Sequence, residues 1–522
     1  MAHDTLASVS THKERITYHD DPLNLYQQLT HDAPNTLLLE SAEIDSKDHL
    51  KSIVMTHAAM MIRCEGYTLT FKALTPNGQT LLSPIHHYFS QDDARLGAAQ
   101  LEDDGLILQL RKPSGQLDED AKLKATSPLD GLRTLLQQIE TVDKPEFESL
   151  FLGGVLAYDL IDTIEPLPTV SDSDNTCPDY LFYLAETLIL VDHQDQRADI
   201  ITHDFSGLNT FSAHFSERRD KLKQACETLS PIEPLCSVEA DVQVNISDDD
   251  FKTVVNNLKE HINAGDIFQV VPSRSFSLPC PNTLGAYRAL RLTNPSPYMF
   301  YFRGEDFTLF GASPESAIKY EAATNQVEIY PIAGTRKRGK LANGEIDFDL
   351  DSRIELELRL DKKELSEHLM LVDLARNDVA RISQSGSRKV PELLKVDRYS
   401  HVMHLVSRVT GQLRTDLDAL HAYQACMNMG TLTGAPKVRA AQLIRKAEKT
   451  RRGSYGGAVG YLNALGDMDT CIVIRSAFVK NAVAHIQAGA GLVYDSDPQA
   501  EADETRQKAQ AVISAIKMGG GR

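Results

Sequence analysis

The sequence predicts an α+β protein in which helices cover large sheets, and two observations support this fold class. Short runs rich in β-branched or small residues occur at residues 266–278, 454–462, 471–478 and 484–494. Long helical patterns lie among them, at residues 356–382 and 498–518. Clusters of strands interrupted by long helices are typical of helices packed over sheets.

A connection near residue 240 divides the chain. Residues 228–244 contain prolines and show no helical or strand periodicity, which is typical of a linking segment. The 522 residues are enough for two large units. We therefore predict an N-terminal part, residues 1–240, and a C-terminal part, residues 241–518, packed into one body.

The first element after this connection is a helix. Ser247 can cap its start and Gly265 can end it. The apolar residues between these two positions recur at helical spacing: Phe251, Val254, Val255, Leu258 and Ile262.

Composition and charge exclude several classes of protein. A net charge of −19 argues against nucleic acid as a partner, because binding to phosphates depends on Lys and Arg. The seven cysteines include no CxxC pair, so scattered thiols in a reducing compartment are expected. The polar N-terminus and the lack of a long apolar run predict a cytoplasmic protein without a membrane partner.

Two pairs of glutamates stand at helical i, i+3 spacing: Glu364 with Glu367, and Glu501 with Glu504. A solvated helix face is one interpretation, and Glu501 could simply complement the helix dipole. However, the helical projection places the first pair beside the apolar residues Leu360, Leu371 and Leu374. Buried carboxylates need a cation, so this pattern favours a metal site.

The second pair supports the same interpretation. Glu501, Glu504 and Lys508 share a helical stripe with three apolar residues, Val512, Ala515 and Ile516. The helix dipole does not explain why a second acid and a lysine follow on this stripe. A site made only of carboxylate oxygens fits Mg²⁺ rather than zinc.

Glycines and a few polar residues suggest a ligand pocket. Glycines at 456, 457 and 460 lie in one β-like segment and those at 489 and 491 in another, where a ligand or tight sheet packing would explain them. Arg475 is predicted to lie mid-strand, where it binds either a ligand carboxylate or a protein acid. His404 is by default a structural histidine. The basic run at 336–340 is typical of a solvated loop.

Eight segments together resemble the chorismate-utilising enzyme family and, within it, anthranilate synthase component I. They are DIFQVVPSR, FGASPE, PIAGTRKRG, ELSEHLMLVDLARND, TLTGAPK, SYGGAVGY, AGAGLVYDSDP and EADETRQKA, and the resemblance covers residues 246–516 almost continuously. The resemblance implies a four-layer α/β/β/α sandwich, in which large, mostly antiparallel sheets are covered by helices.

The resemblance also implies roles for individual residues. The Mg²⁺ ligands would be Glu367 and Glu504, with Glu364 and Glu501 completing the acidic shell. Glu315 would be the general acid, and His404 and Lys508 would assist the reaction. The substrate contacts would be Gln269, Gly334, Thr335, Tyr455, Arg475, Gly489, Ala490 and Gly491.

The implied reaction joins chorismate and ammonia, passes through an aminodeoxyisochorismate, and yields anthranilate and pyruvate. It is the first committed step of tryptophan biosynthesis, catalysed by a magnesium-dependent carbon–oxygen lyase. Isochorismate and salicylate synthases have a lysine base where Gln269 stands. Aminodeoxychorismate synthase is the enzymatic alternative, but such enzymes have a lysine nucleophile where Ala333 stands, and alanine cannot form the covalent intermediate.

The N-terminal part resembles the tryptophan-regulated members of the family through LLLESAEI at 37–44 and NPSPYMF at 294–300. The implied contacts of the inhibitor tryptophan are Glu40, Ser41, Pro297, Tyr298 and Met299, although LLLES could equally be a buried strand with a turn. The sequence has no glutaminase signature. A separate glutamine amidotransferase subunit is therefore expected to supply ammonia, in a heterotetramer of two subunits of each kind. A catalytically inactive tryptophan-binding regulator is the non-enzymatic alternative.

Overall fold

The computed structural model describes residues 5–41, 51–92, 94–115, 117–341, 343–399 and 402–522. Its helices in these ranges are α1 (Pro22–Thr30), α2 (Pro76–Gln79), α3 (Leu82–Ser90), α4 (Glu119–Lys124), α5 (Asp130–Gln138), α6 (Ser212–Glu227), α7 (Asp248–Asn263), α8 (Thr283–Thr293), α9 (Phe348–Leu360), α10 (Lys362–Ile382), α11 (Ala419–Cys426), α12 (Gly430–Thr433), α13 (Lys437–Glu448) and α14 (Pro498–Gly519).

The strands in the same ranges are β1 (Ala7–Ile16), β2 (Thr36–Glu40), β3 (Lys51–Glu65), β4 (Thr68–Ala73), β5 (Leu96–Leu101), β6 (Gly105–Leu110), β7 (Ile139–Thr141), β8 (Phe151–Leu156), β9 (Tyr180–Asp192), β10 (Arg197–Asp204), β11 (Gln243–Val244), β12 (Gln269–Val270), β13 (Ser273–Pro279), β14 (Tyr298–Arg303), β15 (Thr308–Ser313), β16 (Ser316–Glu321), β17 (Gln326–Ile329), β18 (Ile332–Lys337), β19 (Lys389–Arg398), β20 (Val402–Gln412), β21 (Gly434–Ala435), β22 (Ala458–Asn463), β23 (Met468–Ile472), β24 (Ser476–Lys480) and β25 (Val483–Gly489).

Strands from both sides of residue 240 pair with one another. In the antiparallel β2–β14 ladder Glu40 faces Met299, and in the antiparallel β8–β22 ladder Gly154 faces Gly460. Within the described ranges the ladders between these strands are antiparallel, apart from β1 with β7. The predicted α+β class is therefore confirmed.

The apolar cores show how the layers are stacked. One core consists of residues from strands and loops, such as Met55, Phe151, Phe302 and Phe478. Two other cores combine helices with strands, one through α1, α8 and α14 and the other through α5, α10 and α11. A core made by sheets alone between two helix-on-sheet cores is the arrangement of the predicted four-layer sandwich.

Successive residues of β14 show the same layering. Phe300 and Phe302 enter the core between the sheets, whereas Met299 and Tyr301 enter a helix-covered core. This alternation follows from the period of two in a β-strand. Both faces of the strand are buried, which explains its nearly continuous apolar sequence.

The helix predictions were correct at α7 and α14 and wrong at one point between them. The Ser247 side chain accepts the N–H of Asp250 at the start of α7, as predicted. The pattern at 356–382 is two helices, because α9 ends at Leu360 and Asp361 caps α10 by accepting the N–H groups of Lys363 and Glu364. An apolar pattern carries no signal for such a break, since Asp361 also fits a solvated helical position.

The segment between α6 and β11 contains no helix or strand, as its composition suggested. The division of the chain near residue 240 into two parts with separate roles stays a prediction. Within the described ranges, no helix combines the length and the apolar character needed to cross a membrane.

Candidate active site

Close-packed backbone forms one wall of the candidate site. Gly489 ends β25 and lies opposite Ser273 of β13. A Cβ atom on Gly489 would lie 2.8 Å from the carbonyl oxygen of Pro272 and 3.0 Å from the hydroxyl of Tyr455. The N–H of Ala490 donates to the same Pro272 carbonyl at 3.1 Å. Only glycine fits at position 489 without displacing the backbone, so the backbone at residue 489 can approach that at residue 272 closely.

Gln269 and Gly491 bring β12 to this wall. A Cβ atom on Gly491 would lie 3.1 Å from the Nε2 atom of Gln269. The Gln269 side chain is buried, and its Oε1 atom has no hydrogen-bond partner. A buried amide oxygen without a partner is costly unless a ligand or water satisfies it. The position of Gln269 thus fits the predicted substrate contact.

The glycines near residue 456 differ from the prediction. Gly456 and Gly457 lie in a turn before β22, and only Gly460 is part of that strand. Gly456 has a φ of +78°, a conformation that glycine adopts without strain. The turn places Tyr455 in the core, where burial raises the pKa of its hydroxyl against the opposing positive charges of Arg452 and Arg475.

The prediction that Arg475 lies mid-strand was wrong. Residues 471–478 are two strands, β23 and β24, and Arg475 lies between them with a φ of +51°. Its Nη1 atom donates to the carbonyl of Lys508 at 2.7 Å. In the part of the chain that the structure describes, no carboxylate forms an ion pair with Arg475. The charge of this guanidinium therefore remains available to a carboxylate ligand.

Lys508 lies next to Arg475 and to the wall formed by the backbone at residues 489–491, which we call the glycine wall. Its Nζ atom donates to the carbonyl of Gly489 at 3.0 Å and pairs with Glu504 one helical turn earlier, at 2.6 Å. Arg475 and Lys508 thus bring two positive charges to the wall. They offset locally the acidity of the chain as a whole.

The four glutamates converge from α10 and α14, although the prediction that all of them face the core was too strong. Glu501 is 3% exposed, whereas the side chains of Glu364, Glu367 and Glu504 are half-buried. The half-buried side chains lie at the edge of the core rather than within it. A helical projection gives the direction of a side chain but not the depth of its burial.

The electrostatics of Glu367 indicate that carboxylates of the two helices lie near one another. Burial raises the pKa of Glu367 to about 7 and outweighs the opposing charge of Lys363; the negative charges of Glu364, Glu504 and Glu501 add to the rise. Burial also raises the pKa of Glu501, again with a contribution from Glu504. Such mutual effects require that the carboxylates lie near one another.

The donor set fits a divalent cation. The Oε1 atom of Glu367 and the Oε2 atom of Glu501 are buried and have no hydrogen-bond partner. Glu364 pairs with Arg336 at 2.8 Å, and Glu504 pairs with Lys508. Within the described ranges, no three acidic, histidine or cysteine side chains are already close enough together to hold an ion. Two buried oxygens without hydrogen-bond partners, one of them 3.8 Å from the Lys363 ammonium group, and two acids in exchangeable ion pairs are nevertheless suitable ligands for Mg²⁺.

Glu315 has the properties expected of a general acid. It lies between β15 and β16, is 7% exposed, and its main-chain carbonyl accepts the N–H of Ile472. Burial raises the pKa of its carboxyl group to about 8, against the weaker effects of Thr431 and Lys508. The carboxyl group is therefore mostly protonated at neutral pH and can donate a proton.

His404 lies on β20, and its surroundings keep the ring neutral. Burial, together with the positive charge of Arg475, lowers the pKa of His404 to about 4. Its Nδ1 atom shares a hydrogen bond of 2.9 Å with the exposed Thr335 hydroxyl. Gly334 lies at an irregularity in the β18–β20 ladder with a φ of +78°. The structure therefore brings His404 and Thr335 together, beside Gly334.

Two groups of residues near the site were not recognised from the sequence. The basic run at 336–340 was interpreted as a solvated loop, but Arg336 pairs with Glu364 and Asp361, and Arg338 pairs with Asp351. Arg452 and Glu448 form a buried pair close to Tyr455. The acidic partners are distant in sequence from Arg336 and Arg338, so no local pattern could have indicated them.

The residues predicted to bind an inhibitor also lie near one another. Besides facing Met299, the buried Glu40 accepts the hydroxyl of Tyr287 at 2.7 Å and pairs with Arg291 at 3.1 Å. Ser41 directly follows β2, and the rest of LLLESAEI, residues 42–44, lies outside the described residues. The strand interpretation of LLLES is correct for residues 37–40. Inhibitor binding here stays a prediction.

Comparison with known proteins places this site in a family. The sequence profile of the chorismate binding enzyme family matches residues 93–514. Anthranilate synthase component 1 of Vibrio cholerae is 58% identical over 96% of this chain and 95% of its own length. The protein of that name from Escherichia coli K12 is 56% identical over 96% and 95%. The chain belongs to the anthranilate synthase component 1 family.

Solved structures agree with this assignment. Anthranilate synthase component I from Streptococcus pneumoniae superposes with a TM-score of 0.72 at 30% identity, covering 96% of this chain and 99% of its own. A menaquinone-specific isochorismate synthase from Escherichia coli gives a TM-score of 0.65 at 17% identity, covering 98% and 95%. At that identity, the second comparison shows only the common fold. The predicted family and fold are therefore confirmed.

Proposed function

We propose that this chain converts chorismate and ammonia into anthranilate and pyruvate, as the first committed step of tryptophan biosynthesis. The observation that carries the proposal is the convergence of the four glutamates of α10 and α14 close to Lys508. Membership of the anthranilate synthase component 1 family supports it. In this proposal Ala333 excludes the aminodeoxychorismate synthase route, because alanine cannot form a covalent intermediate.

Substrate binding requires that the site attract a dianion. Arg475 and Lys508 supply positive charge, and the backbone at Gly489, Ala490 and Gly491 allows close approach. Glu367, Glu501, Glu364 and Glu504 would hold Mg²⁺, which when bound would neutralise the ring carboxylate of chorismate. Tyr455, Gln269, Gly334 and Thr335 complete the lining of the pocket.

The chemistry begins with the loss of the C4 hydroxyl group. Glu315 donates its proton to this oxygen, so that water rather than hydroxide leaves when the C4–O bond breaks. Ammonia forms a bond to C2, which gives an aminodeoxyisochorismate. The neutral His404 lies beside the ring and assists the elimination. Loss of the C2 proton and cleavage of the C3–O bond then make the ring aromatic and expel enolpyruvate, which takes up a proton at its methylene carbon to become pyruvate.

The proposal includes partners and regulation. A separate glutamine amidotransferase subunit supplies ammonia, in a heterotetramer with two subunits of each kind. Tryptophan inhibits the enzyme by binding near Glu40, Ser41, Pro297, Tyr298 and Met299. A coupling free energy of about 1–3 kcal/mol between the two sites would be typical. The enzyme acts as a magnesium-dependent lyase in the cytoplasm.

One assay tests the proposal. The purified chain is mixed with chorismate, MgCl₂ and an ammonium salt, and anthranilate fluorescence is followed. We expect fluorescence that EDTA abolishes and that tryptophan lowers. No anthranilate under these conditions would overturn the proposed reaction. Formation of aminodeoxychorismate instead would support the alternative enzyme.

A further inference from the structure

Arg452 is a buried arginine beside the proposed substrate pocket that the proposed chemistry does not use. It is 1% exposed. Its guanidinium group pairs with Glu448 through two bonds, Nε to Oε2 at 2.9 Å and Nη2 to Oε1 at 2.6 Å. It also donates to two main-chain carbonyls, those of Leu432 at 2.7 Å and Val271 at 2.6 Å.

The faces of the guanidinium group are covered as well. The Arg452 carbon Cζ lies 4.7 Å from the centre of the Tyr158 ring and 5.5 Å from that of Tyr455. Because the group is planar, its edge can hydrogen-bond while its faces contact aromatic rings. Arg452 therefore constrains the ring of Tyr455, whose hydroxyl borders Gly489.

Glu448 extends these contacts to the glycine wall. Its Oε1 atom accepts both the N–H and the hydroxyl of Ser273, each at 2.7 Å. Ser273 is the ladder partner of Gly489. The pair of Arg452 and Glu448 thus holds the backbone on both sides of the position where Gly489 meets β13.

The segments held by this pair carry proposed substrate contacts. Val271 is two residues from Gln269. Leu432 follows Thr431, which opposes the rise in the pKa of the Glu315 carboxyl group. Tyr455 and Gly489 are themselves proposed contacts. The buried charge pair therefore bonds directly to two segments that are distant in the sequence, residues 271–273 and Leu432, and reaches Gly489 through Ser273.

We propose that Arg452 and Glu448 are positioning residues for the chorismate carboxylate pocket, an inference that rests on the proposed function. Neither side chain needs to touch the substrate. Their role is to set the relative positions of Gln269, Tyr455 and Gly489. A displacement of about 1 Å in such contacts can cost on the order of a hundredfold in rate.

Two variants test the role. Arg452→Lys keeps the charge but loses the planar group that bonds four acceptor atoms and contacts two rings. Glu448→Gln keeps the shape but removes the charge that balances Arg452. The chorismate Kd is measured by calorimetry with Mg²⁺ and without ammonia, so that no turnover is needed. KM and kcat are then measured with ammonium salt.

We expect both variants to raise the chorismate Kd and KM roughly 10–100-fold, with a smaller change in kcat. The double variant should raise them by less than the product of the two single effects, because the two residues act as a unit. Arg218→Lys is the matched control. Arg218 pairs with the buried Glu186 and donates to Thr187, and it contacts no proposed substrate residue. It should lower the unfolding temperature and leave Kd unchanged.

The outcomes separate the two proposals. Wild-type Kd and KM in folded Arg452→Lys and Glu448→Gln would overturn the positioning role while leaving the proposed function intact. A rise in the chorismate Kd no larger than that in Arg218→Lys would overturn it too, because general destabilisation would then explain the rise. A wild-type chain that binds no chorismate would overturn the proposed function itself, and the positioning role with it.

Discussion

Gly334 and Glu364 lie in contact across the β18–α10 interface. A Cβ atom on Gly334 would lie 3.1 Å from the Oε2 atom of Glu364, and the φ of this glycine is +78°. We expect Gly334→Ala to push the Glu364 carboxylate out of place and to weaken Mg²⁺ binding. Gly386→Ala is the control, because Gly386 has the same φ but no atom within 4 Å of its Cβ position.

Both alanine variants should lose about 1 kcal/mol or somewhat more of folding free energy through backbone strain. Only Gly334→Ala should also lose part of the rise in unfolding temperature that MgCl₂ produces. Equal responses to MgCl₂ in the two variants would show that Gly334 is needed for its backbone conformation alone.

Removal of the buried acids tests the metal site. We expect Glu367→Gln and Glu501→Gln to weaken Mg²⁺ binding roughly 10–100-fold. Without metal, both variants should be at least as stable as the wild type, because each loses a carboxylate whose charged form burial disfavours. Thermal unfolding with EDTA and with increasing MgCl₂ measures both effects. Asp373→Asn, on the exposed side of α10, should behave as the wild type does.

The raised pKa of Glu315 leads us to expect that kcat depends on pH. The carboxyl group must be protonated to donate a proton, and its pKa is about 8, so kcat should fall as pH rises through about 8. Glu315→Gln cannot donate a proton and should lower kcat about 10²–10⁴-fold. Glu321→Gln, at the exposed end of β16, is the control. An unchanged kcat in Glu315→Gln would exclude Glu315 as the acid.

The same pKa predicts a pH dependence of stability. The folded chain holds the Glu315 proton up to about pH 8, whereas the unfolded chain releases it near the ordinary value of 4.5. The contribution to the free energy of unfolding is therefore complete below about pH 4.5 and is lost as pH rises towards 8. Glu315→Gln should lack this decline. Unfolding by urea at several pH values in EDTA measures it.

We expect the residue at position 269 to decide whether ammonia or water acts as the nucleophile. Its side chain is buried with an unpartnered oxygen, and ammonia needs no base at this position. We expect Gln269→Lys to introduce a base that activates water, so that isochorismate or salicylate is formed without ammonia. Chromatography of the products detects both. Gln269→Met is a control that should form neither, and their absence from Gln269→Lys would refute the prediction.

Ser41 provides the test of tryptophan inhibition. Glu40 is less suitable, because its replacement breaks a buried pair with Arg291 and destabilises the chain. Ser41→Ala should raise the tryptophan concentration needed for half inhibition about tenfold, without a change in the KM for chorismate. Ser212→Ala, at the first residue of α6, is the control. Unchanged inhibition in Ser41→Ala would show that the site is misassigned.

Local sequence was sufficient for several elements because their signals are local. The cap at Ser247, the helix at residues 498–518 and the α+β class were all correctly predicted from neighbouring residues. The break at Asp361 and the turn at Arg475 were missed. In both, a residue compatible with a regular element leaves it: Asp361 bonds to the backbone, and Arg475 adopts a positive φ.

The spacing of the acids alone indicated that α10 and α14 each carry a pair of carboxylates, and the order of the motifs alone indicated the family. Only the tertiary structure showed how deeply each glutamate is buried, which ones pair with Arg336 and Lys508, and that Arg452 bonds to the distant segments of Val271 and Leu432. The physical reason is that periodicity reports direction around one helix. Burial, pKa and ion pairing depend on groups that the chain brings together from hundreds of residues away.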